Sequence, residues 1–380
     1  VHLTLEDGHM ADCKVYRSFL RQAVRTVLEL CRPDTVRWNY ENGVALCALQ
    51  GAASVLPEAE AAVISRRLRE LAESLVAPDG SIRGYRVDEF NIDQVNTGKF
   101  LLSLWEETRD GRFKAAAETL LGQMEKHPRT TSGAFWHKKI YPHQVWLDGL
   151  YMAGPFLARA GIEFGRPALL DEACFQLLHA RDVLRLPGSG LYRHAIDESR
   201  QQRWCDPATG LSPHVWGRAV GWLSMALVDL LDWLPESHPQ RAPIEAMALD
   251  LARAIIREQQ ASGLWYQVMD APGREGNYLE ASASAMFAYF LRKGIRTGIL
   301  PAGEFDEAAW KALDGILMHF VKLDESAKVH LSGICRVAGL GGTPYRDGSY
   351  AYYLSEPVVT DDYKGLGPFV MALTEACRQS

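Results

Sequence analysis

The chain has 380 residues, 47% of them hydrophobic, 10% aromatic and 23% charged, with a net charge of -6. That is a globular composition with ample apolar side chains for a large core, and it excludes collagen-like repeats, low-complexity disorder and a small disulfide scaffold. The acidic balance argues against a nucleic-acid partner, because gripping phosphate needs a basic face.

Apolar residues recur at helical spacing over most of the chain. In chain order the predicted helices cover 9–31, 42–55, 58–76, 94–108, 112–127, 144–160, 167–185, 213–234, 239–260, 278–299, 304–322 and 361–378. Pro57 and Pro142 stand where a helix can begin, and Asn42-Gly43, Pro187-Gly188 and Pro235 punctuate the pattern. No segment shows the sustained alternation of a half-buried strand, so β-structure is expected only as short pieces in loops. The longest apolar stretch, Ala219 to Pro235, carries Asp229 and Asp232 and falls short of the roughly 20 clean residues of a membrane span. Val1 to Asp12 has acids and no apolar region of the kind a signal peptide carries. The seven cysteines, Cys13, Cys31, Cys47, Cys174, Cys205, Cys335 and Cys377, are scattered and form no C-x-x-C pair. They read as reduced thiols of a cytoplasmic protein. No His/Cys cluster has ligand spacing and no nucleotide fingerprint is present, so neither a metal nor an organic cofactor is expected.

A Ser/Asp-Gly step followed by apolar or aromatic residues recurs at Asp79-Gly80, Ser132-Gly133, Ser189-Gly190, Ser262-Gly263 and Ser332-Gly333. The steps between the glycines are 53, 57, 73 and 70 residues, and each holds one helix pair. Thr35 to Tyr40 resembles a sixth copy without its glycine. Repeats of this kind bury their apolar faces only against neighbours. The prediction is an all-α fold, an (α/α)6 barrel of six helical hairpins forming a single domain over 1–380. The glycine-and-aromatic loops would then gather at one end and line one mouth.

Four stretches could carry chemistry there. In the first, His137 to Gly149, Asp148 stands in the first turns of a strongly apolar helix beside Trp146, Leu147 and Leu150. Poor solvation should raise its pKa, which suits a general acid, while the helix N-terminus pulls the other way. The alternative is a hydrogen-bonded anchor of the helix start. In the second, Glu89 to Lys99, Asp93 opens a helix and reads equally as an N-cap. Paired with Asp148 at one mouth it would complete the two carboxylates usual in glycoside cleavage. The third runs from Gly190 through His194 and Asp197 to Pro207. In the fourth, Ser212 to Trp222, Trp216, Arg218 and Trp222 sit at a helix start. Trp faces stack on sugars and Arg offers a forked donor to a carboxylate; the alternatives are a core Trp222 and an Arg218 paired with a nearby acid. A glycine-rich loop, Val337 to Tyr350 followed by Tyr352 and Tyr353, is expected to lie over the mouth. No Gly-x-Ser-x-Gly elbow and no His-Glu-x-x-His is present.

Trp146-Leu147-Asp148-Gly149-Leu150-Tyr151-Met152, His194-Ala195-Ile196-Asp197-Glu198-Ser199, Trp216-Gly217-Arg218-Ala219-Val220-Gly221-Trp222 and the Gly339–Tyr345 loop together resemble the unsaturated rhamnogalacturonyl hydrolases, glycoside hydrolase family 105. The resemblance runs from about Trp38 to Lys364. It implies the same α/α six-barrel and an unusual reaction on pectin-derived oligosaccharides that end in a 4,5-unsaturated uronic acid. An aspartic acid protonates C4 of the ring double bond, water adds at C5, and the hemiketal opens to release the aglycone. Asp148 matches that aspartate and Asp93 the second carboxylate. Tyr40, His137, Lys138, Trp146, His194, Trp216, Arg218 and Trp222 fall on pocket positions. Arg218, His194 or Lys138 would then bind the uronate carboxylate, with Trp216 or Trp222 stacked on a sugar. Ile196 stands where an aromatic is usual in the family. The implied ligand is a small unsaturated oligosaccharide, with no nucleic acid, no membrane and no cofactor. Competing readings are an unsaturated glucuronyl hydrolase on glycosaminoglycan-type fragments, a sugar epimerase, and a non-catalytic carbohydrate-binding ring.

Overall fold

A computed structural model describes residues 13–378. The expected beginning of the first helix, residues 9–12, lies outside the described residues. The helices are α1 (Cys13–Leu30), α2 (Tyr40–Ala53), α3 (Glu58–Leu75), α4 (Gly98–Thr108), α5 (Gly111–Glu125), α6 (Leu147–Glu163), α7 (Pro167–Leu184), α8 (Gly217–Leu231), α9 (Arg241–Arg257), α10 (Ala281–Arg296), α11 (Ala302–His319), a short α12 (Tyr350–Ser355) and α13 (Tyr363–Arg378).

The long helices fall into two kinds, and their composition says which is which. Every residue of α8 except Asp229 is buried, as a helix that is apolar all round must be. By contrast, α3 buries one stripe, Ile64, Leu68, Leu71, Ala72 and Leu75, and turns its Glu and Arg residues outward. Accordingly α2, α4, α6, α8, α10 and α13 form a closed inner ring, each packed on the next and α13 on α2. Helices α3, α5, α7, α9 and α11 each cover the inner helix that precedes them. The fold is the expected (α/α)6 barrel of six helical hairpins, five of them consecutive in the chain. The sixth pair is α13 with α1, the last helix covered by the first.

The five repeat glycines, Gly80, Gly133, Gly190, Gly263 and Gly333, all have positive φ. They lie in the loops that lead from an outer helix to the next inner one. At Gly263 the requirement is double: φ is +84°, and a Cβ would stand 2.0 Å from the carbonyl oxygen of Lys311 on α11. Only glycine lets this turn rest on its neighbour. Because all these loops feed inner helices, the N-termini of the six inner helices share one end of the barrel, the mouth.

Strands are confined to loops. β1 (Gln144–Trp146) pairs antiparallel with β2 (Ala195–Asp197), β3 (Val321–Leu323) with β4 (Val329–Leu331), and β5 (Ile334–Cys335) with β6 (Val358–Val359). Four predicted helices therefore start three or four residues too early, one of them at 278 to 280, which are loop. Residues 94 to 97 belong to a 3-10 turn and its exit, 144 to 146 are β1, and 213 to 216 are loop. Val95, Val145, Trp146, Val215 and Trp216 keep the apolar period and are buried, although they lie outside the helices. Across the axis, Trp222 stacks on Tyr151 (ring centroids 5.0 Å apart) and meets Tyr40 edge-on (6.2 Å). This aromatic layer separates the mouth from a chamber at the other end. Among the described residues no helix is long and apolar enough to cross a membrane.

Candidate active site

The mouth is assembled by backbone pairing between loops. Trp146 pairs with Ala195, and the Leu147 amide donates to the His194 carbonyl at 3.1 Å. The next side chain, Asp148 at the first turn of α6, is thereby held beside His194, with Nε2 3.2 Å from Oδ2. The two lack hydrogen-bond alignment. On its other side His194 shares a 2.8 Å hydrogen bond between Nδ1 and the Tyr353 hydroxyl, both side chains fully buried. With the Tyr353 O–H donating, the imidazole carries its proton on Nε2, facing the carboxylate.

A second pairing brings in Asp93. The Ile92 amide donates to the His137 carbonyl (3.2 Å), and Asn91 pairs with Lys138. Asp93 sits on a 3-10 turn, Ile92–Val95, whose cap is Asn91. Its carboxylate is no N-cap: Oδ2 lies 2.6 Å from Lys138 Nζ, and Oδ1 is 3.6 Å from His137 Nε2. Lys138 is thus paired with Asp93 in this structure. Burial opposes the Lys138 charge, but Asp93 outweighs it and holds the ammonium above its ordinary range.

His137 lies in a stack with Trp146 (4.5 Å, 10°) and Tyr141, and burial pushes it down to about 4, so it is neutral near pH 7. The expectation for Asp148 is corrected in sign. Burial does raise its pKa, as foreseen, but His194, His137 and Arg218 together outweigh burial and leave it below the ordinary carboxylate value. Sequence neighbours supplied the desolvation; the groups that outweigh it come from elsewhere in the chain.

Arg218 is 1% exposed. Its Nη1 donates to Ser282 Oγ (3.3 Å) and to the Cys335 carbonyl, and its guanidinium lies 4.7 Å from the Trp216 ring. Beneath it the buried Glu280 accepts from Ser282 Oγ and from the amides of Ala283 and Cys335. Of the two readings of Trp222 the burial favours the core one, and Trp216 is covered as well. Trp216 is packed against His194 and Tyr353 and donates to Gln267, and Trp222 belongs to the axial layer. Trp146 is buried too, its ring covered by His137 and Tyr141. Tyr40 remains half-buried at the mouth, within electrostatic reach of Arg218, Asp93 and Asp148.

Within the His194–Ser199 stretch only His194 faces the site. Asp197 accepts from Ser199, Gln201 and Gln202, and Glu198 ties down Thr131 and Ser132. Those acids organise loops. The glycine-rich loop does reach the rim: Leu340 and Tyr345 pack with Trp146 and Trp204, and Arg346 donates to the Tyr141 hydroxyl (2.8 Å). Sequence reasoning missed the role of Tyr353 and the pairing of Lys364 with Asp362 (2.9 Å) and, more distantly, with Glu41 (3.9 Å). The run of tyrosines after the loop was the only signal for the first.

Four buried polar atoms at this one mouth, Asp93 Oδ1, His137 Nδ1, Asp148 Oδ2 and His194 Nε2, have no hydrogen-bond partner. Such a concentration marks a site built to engage a ligand. The six inner N-termini aim their positive ends at the same place, which favours an anion. Among the described residues no three His, Cys, Asp or Glu side chains gather as metal ligands would.

Comparisons with known proteins agree with this geometry. The model of Glycosyl Hydrolase Family 88 matches residues 14–380. A solved glycoside hydrolase from family 105 of C. acetobutylicum ATCC 824 superposes with a TM-score of 0.89 at 39% identity, covering 94% of this chain and 99% of that one. Protein Atu3128 of Agrobacterium fabrum is 48% identical over 231 residues, 59% of this chain and 98% of its own. The unsaturated rhamnogalacturonyl hydrolase YesR of Bacillus subtilis is 32% identical over 234 residues, 60% of this chain and 63% of its own.

Proposed function

From the premise that the chain belongs to Glycosyl Hydrolase Family 88 and is a glycoside hydrolase of the family 105 kind, we propose that it removes the terminal 4,5-unsaturated galacturonic acid from rhamnogalacturonan oligosaccharides. Asp148 is the general acid and base of this reading. The observation that carries it is the buried Asp148–His194 pair, set among unpartnered polar atoms where six helix N-termini converge.

The sugar's ring double bond is a vinyl ether. Asp148 gives its proton to C4, and positive charge develops at C5, shared with the ring oxygen. The carboxylate left behind stabilises that charge, with the His194 Nε2–H supporting it, and takes a proton from the water that adds at C5. The hemiketal opens and the aglycone leaves. Because the free site holds Asp148 below the ordinary carboxylate value, it must be loaded with its proton as the anionic sugar arrives. A substrate carboxylate nearby favours that loading, since like charge disfavours a second anion. Asp93, held by Lys138, orients the water or sugar hydroxyls. Similarity to YesR supports the rhamnogalacturonan substrate.

The test is loss of the double-bond ultraviolet absorbance with two defined disaccharides, unsaturated galacturonyl-rhamnose and an unsaturated glucuronyl-amino sugar. Turnover of the first is expected. Preference for the second would shift the reading to glycosaminoglycan fragments. In D₂O deuterium should enter C4, and oxygen from labelled water should enter C5. Asp148→Asn should lose roughly 10²–10⁴-fold in kcat while still binding. Label at C1, or near-full turnover by Asp148→Asn, would overturn the mechanism.

A further inference from the structure

Below the Trp222–Tyr151 layer, the C-terminal halves of the inner helices enclose a chamber of about 380 Å³ that opens at the end opposite the mouth. That is the size of small-molecule sites, ~300–1,000 Å³. Its cations are Lys99, Arg159, Lys293, Arg296 and Arg378, against the acids Asp229, Asp232 and Glu375. Most of these charges answer one another. Lys293 Nζ lies 2.7 Å from Asp229 and 2.6 Å from Asp232, Arg296 and Arg378 share Glu375, and Arg159 pairs with Glu106 and Glu163. The partial negative charge of the helix ends accounts for cations near the rim.

Lys99 is different. It stands in the first turn of α4, away from those helix ends, and is 9% exposed. Its ammonium sits 3.3 Å from the centroid of the Tyr151 ring and gives one hydrogen bond, to the Tyr151 carbonyl at 3.3 Å. It forms no ion pair with any described carboxylate, so three N–H donors meet one acceptor at the inner end of an open chamber. Burying a cation this way costs free energy unless something pairs with it. The cost shows in its pKa, which burial pushes down to about 8.

We propose that this chamber is a second ligand site, separate from the catalytic mouth, which takes a small oxyanion, a carboxylate or a phosphate, on the ammonium of Lys99. Tyr151 and Tyr289 wall the inner end, and Arg378 stands at the rim.

Titration calorimetry at pH 7 with sodium phosphate and, separately, with sodium malate distinguishes the two sources. One of them should bind one-to-one. Lys99→Gln should weaken that binding by roughly tenfold or more, the loss expected for a charge-assisted hydrogen bond, while turnover of the unsaturated disaccharide stays within about twofold. Affinity should also fall above about pH 8 as Lys99 loses its proton. The groups sharing the chamber with it are Cys47 on α2, Tyr151 and Arg159 on α6, Asp229 and Asp232 on α8, Tyr289, Lys293 and Arg296 on α10, and Glu375 and Arg378 on α13. If Lys99→Gln fails to fold, Arg378→Gln decides, and weaker binding supports the site. Binding of neither anion at about 10 mM, unchanged affinity in the variant measured, or competitive inhibition that places the anion at the mouth would each overturn the proposal.

Discussion

Replacing Lys138 with methionine asks whether that cation serves the fold or the substrate. The change removes the 2.6 Å partner of Asp93. It leaves a carboxylate whose Oδ1 already lacks a hydrogen bond and whose remaining neighbour, His137 Nε2 at 3.6 Å, is neutral near pH 7. Orphaning one member of a fully buried ion pair costs about 3–5 kcal/mol. Here Lys138 keeps 22% of its side chain exposed and Asp93 11%, so solvent softens the loss and about 2–3 kcal/mol is expected. The double variant Asp93→Asn/Lys138→Met carries no orphaned charge and should recover more than about 1 kcal/mol of the additive loss, a coupling that urea unfolding at constant m-value measures. A Lys138→Met protein of wild-type stability, with no coupling to Asp93 but a raised KM, would refute the reasoning and return Lys138 to the substrate.

Acidification should loosen the fold, because His127 and His137 are both buried and pushed down to about 4. Between pH 6.5 and 4 the unfolded chain binds protons that the folded one refuses, so stability falls as pH drops through that window, by on the order of 3 kcal/mol per imidazole. His127→Gln should halve the pH slope of the unfolding free energy, and an unchanged slope would show that these imidazoles accept protons in place. Tyr353→Phe removes the hydrogen-bond partner of His194 Nδ1; kcat should fall by about tenfold, the value of one buried hydrogen bond, with KM nearly unchanged. Full activity would mean that another group orients His194. Gly263→Ala should destabilise by about 3 kcal/mol or more in chemical unfolding, given φ of +84° and the Lys311 carbonyl 2.0 Å from the new Cβ. Near-native stability would show that the turn can lift off α11.

The barrel was legible because inner and outer helices both keep the 3.6-residue period, and because the glycine turns recur once per pair. Which helices make the closing pair was not, since nothing local says that the first helix covers the last. Asp148 was visible as a carboxylate in apolar sequence, which gives half of its electrostatics. The other half is His194, 46 positions along the chain, and it reverses the sign of the shift. Lys138 was placed in the pocket by the resemblance alone, and its partner Asp93 shows only once Asn91 pairs with Lys138. Lys99 reads as one more charged residue on a helix, because the side of α4 that faces the axis shows only after the ring has closed. A core Trp222 was one of the two readings the sequence allowed, but the covering of Trp216 was not legible, since it depends on Tyr353.

Closure by α1 and α13 bears on how the molecule is made. The ribosome delivers α2 and α10 long before α13, the stave that packs between them. Until then an apolar gap runs the length of the nascent barrel, and contacts between the two ends of the sequence are the slowest kind to form. The gap is widest while the chain is still being synthesised, and in that interval α2 and α10 present unburied apolar faces on which chaperones and aggregation compete.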